Sequence, residues 1–368
     1  MGKKIRVGIL AGGKSAEHEV SLQSAKNVVD ALDRERFEPV LIGIDKGGRW
    51  LLLDHRDFLL NENDPRRISL RPSGNPAALL PDNEGVIAGA DGARTAVDVI
   101  FPILHGPYGE DGTVQGLLKA AGLPFVGPSV LGSALGMDKD VMKRLLRDAG
   151  VPIGKFLVLS SHEKAPSFDE AAAVLGSPVF VKPANMGSSV GVSKVNNNEE
   201  YRTALADALV YDTKIILEEY IRGREIECAV LGNEHPAASV PGEVTSSHEF
   251  YSYDAKYIDE KGAVLEIPAR LSAETTGQIQ ALAIKTFTVL CCEGLSRVDF
   301  FLREDNGLPE TSRIIVNEIN TIPGFTRISM YPKLWEASGV SYTELVTRLI
   351  DLALERFERE KTLKTSMI

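Results

Sequence analysis

The opening run, KKIRVGILAGGKSAEHEVSLQSAKNVVDAL, leaves few folds open to the chain that carries it. Ile5, Val7, Ile9 and Leu10 form a short apolar stretch, the mark of a strand buried on both faces. Gly12 and Gly13 follow, and then Leu22, Ala25, Val28, Val29 and Leu32 recur at helical spacing. That stripe predicts an amphipathic helix from about Glu19 to Leu32. Strand, tight turn and helix in this order begin an open α/β sheet, whose ligands gather at the carboxyl ends of the strands.

The same run contains GILAGGKS, Gly8 to Ser15, which satisfies G-x-x-x-x-G-K-[ST]. A phosphate-cradling loop of that type lies between the end of a strand and the start of a helix. Here Gly8 falls inside the strand, and the turn itself, AGGKS, is too short to wrap a phosphate. The match is therefore read as accidental, and the polar run SAEHEVS needs another explanation. G-x-G-x-x-G is missing too, with no acidic residue suitably placed about 20 residues later to hold a ribose, so a nicotinamide dinucleotide is not expected.

A chain of 368 residues predicts two or three domains. Three blocks can be read, without internal repeat. The first, residues 1–128, has strand-like RVGIL, PVLIGI and DVIFPIL, which suggest a parallel sheet with helices on its faces. Its segment from Asn61 to Arg94 is rich in Pro, Gly, Asn and Asp and reads as loops with at most a small hairpin. The second block, 129–221, starts with a helix in MDKDVMKRLLRDAGVP. Asp138 is its expected N-cap, Val141, Leu145 and Ala149 its apolar face, and Gly150 and Pro152 its end. KFLVL, a helix at Phe168 to Leu175, two strand-like runs joined by a Gly/Ser loop in PVFVKPANMGSSVGVSKV, and KIILEEYI complete it. The third block, 222–368, has strand-like EIECAVLG and VLEIPA. Between them PGEVTSSHEFYSYDAKYIDEKG reads as one long loop, 241–262, of a length that is usually functional or disordered. A helix from Ser272 to about Cys292, then LSRVDFFL, RIIVNEIN and a helix from about Tyr342 finish the chain.

The net charge of −10 and the pI of about 5.3 argue against nucleic acid as a partner, since a phosphate backbone needs a basic face. No apolar run reaches the length of a membrane span. The N-terminal apolar run breaks at Gly12-Gly13-Lys14 into charged sequence, unlike a signal peptide. Cys228, Cys291 and Cys292 match neither a disulfide framework nor a zinc spacing, and read as small buried residues. A cytoplasmic location is expected.

Three stretches carry chemistry. In SRVDFFL, Arg297 and Asp299 share one strand face, and in IVNEIN, Glu318 and Asn320 do the same. If these strands are neighbours, Asp299, Glu318 and Asn320 converge into an all-oxygen set suited to Mg²⁺, with Arg297 beside them for an anion. A solvated face with ordinary salt bridges has the same pattern. VKPANMGSSVGV places Lys182 on a strand that enters a loop with Gly187, Ser188, Ser189 and Gly191, the composition of a phosphate lid or of a plain hairpin. Lys139 adds a cation at a helix start. LHGPYGEDGTVQG puts His105, Glu110 and Asp111 at the carboxyl end of a buried strand, where a histidine is either structural or ligand-binding.

Taken in order along almost the whole chain, GGKSAEHEVSLQSA, LHGPYGEDGTVQGLLKAAGLPFVG, MDK, VKPANMGSSVGVSKV, FYSYDAKY, SRVDFFL and NEINTIPGFTRISMYP resemble the D-alanine–D-alanine ligases of the ATP-grasp superfamily. The resemblance implies an N-terminal open parallel α/β sheet followed by two ATP-grasp domains with ATP between them. It assigns Glu17 to the ammonium of the first D-alanine, with His105 close by, and links Glu17 to Ser188 and to Tyr257 of the long loop. Lys139 and Lys182 would bind the phosphates of ATP and Glu218 the adenine amino group. Backbone of Tyr220 and Ile221 would complete adenine recognition, and Glu225 would hold the ribose. Asp299, Glu318 and Asn320 would ligate two Mg²⁺ ions, for which Mn²⁺ could substitute. Arg297 and the Gly324 N–H would stabilise an oxyanion, while Ser329, the Met330 N–H and Lys256 would hold the second carboxylate. Glu219 and Met186 fill positions that vary in character.

The implied reaction is an ATP-dependent ligation through an acylphosphate, for peptidoglycan precursors. Retention of Tyr251, Lys256 and Tyr257 points to D-alanine rather than D-lactate as second substrate. Another ATP-grasp carboxylate–amine ligase would share the ATP and Mg²⁺ residues but lack the Glu17–Ser188–Tyr257 set. A nucleotide sensor without turnover would not need the full charge clamp. The resemblance also suggests a homodimer through the first block.

Overall fold

The structure, a computed structural model, describes residues 3–72, 74–81, 85–246, 263–304 and 307–364. It opens with β1 (Ile5–Gly12), α1 (His18–Ala31), β2 (Phe37–Ile44) and β3 (Trp50–Leu53). Then come β4 (Leu59–Leu60), β5 (Ser69–Leu70), β6 (Asn75–Leu80), β7 (Val86–Gly89), β8 (Arg94–Ala96) and β9 (Val99–Ile103). β1 pairs in parallel with β2 on one side and β9 on the other. β3, β6, β7 and β8 extend the sheet antiparallel beyond β2. The parallel part is thus confined to the three strands with strong apolar runs. The segment from Asn61 to Arg94, expected as loops with at most a small hairpin, supplies β5 to β7 and the start of β8, with β6 and β7 paired as a hairpin. Small or polar residues in half-buried strands such as NPAALL carry too weak an apolar signal.

Gly8 sits inside β1 as expected, and a Cβ there would come within 2.5 Å of Ile100 Cδ1. Its glycine therefore serves close packing in the sheet, with no phosphate involved. α1 buries Leu22, Ala25, Val28 and Val29 on one face of the sheet. α2 (Thr113–Ala120) buries Val114 and Leu118 on the other, against Leu10 and Ile100.

After α3 (Val130–Met137) comes α4 (Lys139–Asp148), capped by the Asp138 carboxylate, which accepts from the Asp140 and Val141 N–H groups. Its buried apolar residues are Met142 and Leu146, with Leu145 and Ala149 only flanking that core, so the apolar face is turned by one residue from the expected one. A second sheet follows, built from β10 (Phe156–Ser160), β11 (Val179–Pro183), β12 (Ser193–Val195) and β13 (Lys214–Glu219) in the order β10-β13-β11-β12. α5 (Phe168–Leu175) and α6 (Asn198–Tyr211) cover one face of it, around Phe168, Val179, Tyr201 and Leu217.

The third sheet holds β14 (Gly223–Gly232), β15 (Ala237–Ala238), β16 (Gly242–Ser246), β17 (Ala263–Glu266), β18 (Gly294–Arg303) and β19 (Ile314–Asn320). β16 and β17 pair with one another, so the expected loop 241–262 begins as a strand. Tyr251, Lys256 and Tyr257 lie outside the described residues. α7 (Ala273–Val289) packs Ile279, Ala283 and Phe287 onto Cys228, Val298 and Phe300. α8 (Met330–Ala337) and α9 (Tyr342–Lys361) return to the first sheet. Tyr331, Leu334, Leu345 and Leu349 share one core with Val7, Ile9 and Phe101. The two ends of the chain are therefore joined by apolar burial, each fully buried large side chain adding about 1.5–3 kcal/mol. Cys228 and Cys292 are buried, whereas Cys291 is exposed at a φ of 53° in the turn after α7. No described helix is long and apolar enough to cross a membrane.

Candidate active site

Strand alternation builds one wall. Along β18, Val298, Phe300 and Leu302 face the core while Arg297, Asp299 and Phe301 face outward. β19 runs antiparallel beside it, with Arg297 opposite Asn320 and Asp299 opposite Glu318. Asn320 Nδ2 donates to Asp299 Oδ2 at 2.9 Å, and Glu318 stands opposite Asp299, so the three expected ligand residues lie together on adjacent strands. Arg297 grips Asp299 through Nε at 2.7 Å and one terminal nitrogen at 2.8 Å, and its Nε lies 2.9 Å from the buried Glu227 of β14. The set fits a hard divalent cation, as two carboxylates and an amide side chain share neighbouring strands beside cations that already balance them. No group of three or more His, Cys, Asp or Glu suited to a metal exists among the described residues, so phosphate and water must complete any coordination.

The second sheet supplies the opposite wall. A cleft of about 520 Å³ lies between the two and is lined by Lys139, Lys182, Glu218, Glu225, Asp299 and Glu318, among others. That volume suits a nucleotide-sized ligand. Tyr220 and Ile221 line it where β13 passes into β14. Tyr220 is half exposed and packs against Phe180 with ring centres 6.0 Å apart. Lys139, the first residue of α4, donates to the Met186 carbonyl at 2.7 Å and lies 3.7 Å from Glu318.

Glu218 is buried between two lysines, with Lys182 Nζ at 2.5 Å and Lys143 Nζ at 2.7 Å. Burial opposes its charge, but Lys143 and Lys182 prevail and hold its pKa down at about 2. Burial likewise opposes the charge on Lys182, and Glu218 reverses that to raise its pKa. Glu219, next along, turns the other way and accepts from Lys155 N at 2.8 Å and Arg303 at 3.0 Å, which makes it a structural tie.

The Gly/Ser loop reaches across to the first sheet. The Ser188 hydroxyl donates to Glu17 Oε1, with Ser188 held at a φ of 50°. Glu17 immediately precedes α1, beyond the carboxyl end of β1, and His105 lies two residues after β9, so both stand where the sheet reverses strand order. Gly106 has a φ of 71°, and a Cβ there would come within 2.8 Å of Glu17 Oε2. His105 Nδ1 pairs with the Ile322 carbonyl at 2.9 Å, and burial pushes its pKa below the ordinary value, so it is neutral. A neutral ring held by a backbone oxygen orients the loop after β19.

That loop, 321–329, is pinned from the first block. Glu110 accepts from Gly106 N at 2.7 Å and from Ile322 N at 2.8 Å. Phe325 N donates to Ser24 at 3.2 Å. Gly324 is buried between these pins, and Ser329 immediately precedes α8, whose first residue is Met330. Backbone N–H groups at a helix start suit a carboxylate. Ser329 Oγ itself bonds within the turn, accepting from Thr326 N at 3.0 Å.

Sequence reasoning missed Lys143 and Glu227. Both had a signal, since Lys143 stands one helical turn after Lys139 and Glu227 two strand positions after Glu225. The pinning role of Glu110 had none, because its partner lies 212 residues away.

Two antiparallel sheets closing on a cleft, with lysines on one wall and carboxylates on the other, define an ATP-grasp ligase fold. Residues 6–128 match the family model described as D-ala D-ala ligase N-terminus, and residues 145–351 the one described as D-ala D-ala ligase C-terminus. The D-alanine–D-alanine ligase of Oceanobacillus iheyensis is 55% identical over 367 residues, which cover 99% of each chain. The VanG D-Ala:D-Ser ligase of Enterococcus faecalis superposes with a TM-score of 0.83 at 34% identity, covering 95% of this chain and 100% of its own. The D-alanine–D-alanine ligase of Bacillus anthracis complexed with ATP gives a TM-score of 0.72 at 28% identity, over 98% of this chain and 100% of its own. The chain belongs to the D-alanine–D-alanine ligase family.

Proposed function

We propose that this protein joins two D-alanine molecules into D-alanyl-D-alanine, converting ATP to ADP and phosphate, as a step in peptidoglycan precursor synthesis. Full-length kinship supports the ligase activity, and the Ser188–Glu17 contact carries the choice of an amino acid as first substrate. Glu17 holds the first D-alanine by its ammonium, directly or through hydrogen bonds, next to the neutral His105. That leaves the substrate carboxylate facing the cleft. Its oxygen attacks the γ-phosphorus as the bond to the β-phosphate oxygen breaks, giving an acylphosphate and ADP. The amine nitrogen of the second D-alanine then attacks the acyl carbon, and phosphate leaves from the tetrahedral intermediate.

Lys139 and Lys182 lower the charge of the triphosphate so that a carboxylate can approach. Arg297, on the same face, and the Gly324 N–H stabilise the oxyanion of the tetrahedral intermediate. Ser329 and the Met330 N–H, with Lys256, hold the second carboxylate. Tyr257 links the loop 241–262 to Glu17, and closure keeps water from the acylphosphate. Glu218 receives the adenine amino group, backbone of Tyr220 and Ile221 the rest of the base edge, and Glu225 the ribose. Asp299, Glu318 and Asn320 would hold Mg²⁺, two ions by resemblance with Mn²⁺ as substitute, which supplies Lewis-acid stabilisation of the transferring phosphoryl group.

The blocks 1–128, 129–221 and 222–368 are the domains of this reading. A homodimer through the first block fits the exposed Leu117 on α2, and the molar mass measured in solution tests it. A cytoplasmic location accords with ATP as substrate, and cell fractionation tests it. The central experiment measures phosphate release from ATP with D-alanine alone and with D-alanine plus D-lactate, together with product analysis. Dipeptide as the main product supports the reading. Depsipeptide as the main product keeps the ATP site and overturns the second substrate.

A further inference from the structure

Lys139, Lys143 and Lys182 are among the lysines that line the cleft, and they differ in depth. The side chains of Lys139 and Lys182 are 13% and 16% exposed, while that of Lys143 is 3% exposed. A lysine this deep needs a partner, and Lys143 has Glu218 at 2.7 Å. Lys182 shares the same carboxylate from the strand that enters the Gly/Ser loop. One ammonium is a compact point charge, so drawing it toward a triphosphate weakens its hold on Glu218. Lys143 has no such second task. It stands on α4, which Asp138 caps and whose Asp138 and Asp140 both pair with Lys214 of the second sheet.

We propose that Lys143 is a positioning residue for nucleobase selection, which keeps the Glu218 carboxylate fixed at the base edge of the cleft while Lys182 exchanges Glu218 for the triphosphate. This rests on the assignment of Glu218 to the adenine amino group. An anionic carboxylate accepts from the exocyclic amino group of adenine and meets the carbonyl oxygen of hypoxanthine as a second acceptor. A site built to pair with a donor strongly rejects an analogue that lacks it. Without Lys143, Glu218 loses its permanent counter-charge on nucleotide binding. Burial then favours its neutral form, which can donate to a carbonyl. Selection against inosine triphosphate should fall.

The test is steady-state D-alanine ligation by the full chain with ATP and with inosine triphosphate. Glu218→Gln and Lys143→Met should each cut the ATP-to-ITP ratio of kcat/KM by about tenfold or more, chiefly through KM. Lys143→Arg should restore most of that ratio, because the charge returns. The double variant should match Glu218→Gln alone, since Lys143 acts only through Glu218. A wild-type ratio in Lys143→Met beside a reduced one in Glu218→Gln overturns the role of Lys143 and leaves the adenine assignment standing. A wild-type ratio in Glu218→Gln overturns the assignment and the proposal with it. If Lys143→Met does not fold, Lys143→Gln, an uncharged polar replacement at the same place, decides: a reduced ratio supports the proposal and a wild-type ratio overturns it.

Discussion

Ser188 and Glu17 meet across 171 residues of chain, the hydroxyl of the one donating to the carboxylate of the other. The contact joins a loop of the second sheet to the residue that precedes α1, after the first strand. It therefore reports whether the second block is seated on the first. Ser188→Ala is expected to lower kcat/KM for D-alanine roughly 10- to 100-fold, the worth of one hydrogen bond to a charged group. Little change should appear in the KM for ATP. Kinetics with each substrate varied separately check this.

Gly106 has no room for a side chain beside Glu17. Gly106→Ala places a Cβ within 2.8 Å of Glu17 Oε2 at a φ of 71°. It should cost about 1–3 kcal/mol of stability from backbone strain alone and reduce D-alanine turnover as well. Denaturant melts and assays on the same preparation separate the two effects.

Burial and the neighbouring Glu17 push the pKa of Glu110 up to about 8 from an ordinary 4.5, against the two N–H groups that favour its anion. Between those values the unfolded chain has lost a proton that the folded chain keeps. The contribution of Glu110 is therefore full below pH 4.5, declines as pH rises through the window, and levels off above about 8. Glu110→Gln should flatten that slope, which amounts to a few kcal/mol on the order of magnitude. Urea melts on either side of the window measure it. A slope unchanged by the substitution would mean that Glu110 is ionised throughout.

Arg297 and Lys139 already balance Asp299 and Glu318. Removal of divalent ions with a chelator should therefore abolish turnover and leave the thermal melt unchanged. Asp299→Asn should raise the Mg²⁺ concentration needed for half-maximal activity by about tenfold or more. Metal titration of activity in both proteins is the measurement.

Phe325 is fully buried where the first block meets the loop after β19, against Phe101, Tyr331 and Tyr342. Phe325→Ala should cost about 3–5 kcal/mol, as other large buried truncations do. Because Gly324 is its neighbour, kcat should fall in whatever fraction remains folded. Denaturant midpoints and kcat per folded molecule check both parts.

Local signals were enough to read β1, α1, β9, the helices at 139–148 and 168–175, and the faces of β18 and β19. Each of these rests on apolar period or capping chemistry, which a few neighbouring residues settle. Weakly apolar strands such as β6 escaped because only their sheet partners make them strands. The convergence of Asp299, Glu318 and Asn320 was legible as soon as two strands were taken as neighbours. Most other proposed site roles rest on the resemblance of the ordered motifs, where spacing alone left alternatives open.

By itself, then, the sequence determined the strands and helices with strong periodicity, the family, and the identity of the charged groups. Tertiary structure decided which charges pair. It set Lys143 against Glu218, Glu227 against Arg297 and Glu110 against Ile322, and it folded α9 back onto the first sheet. The physical reason is range. Period and capping act within a turn or two of chain, whereas an ion pair or a shared apolar core depends on distances that exist only once the whole chain has closed.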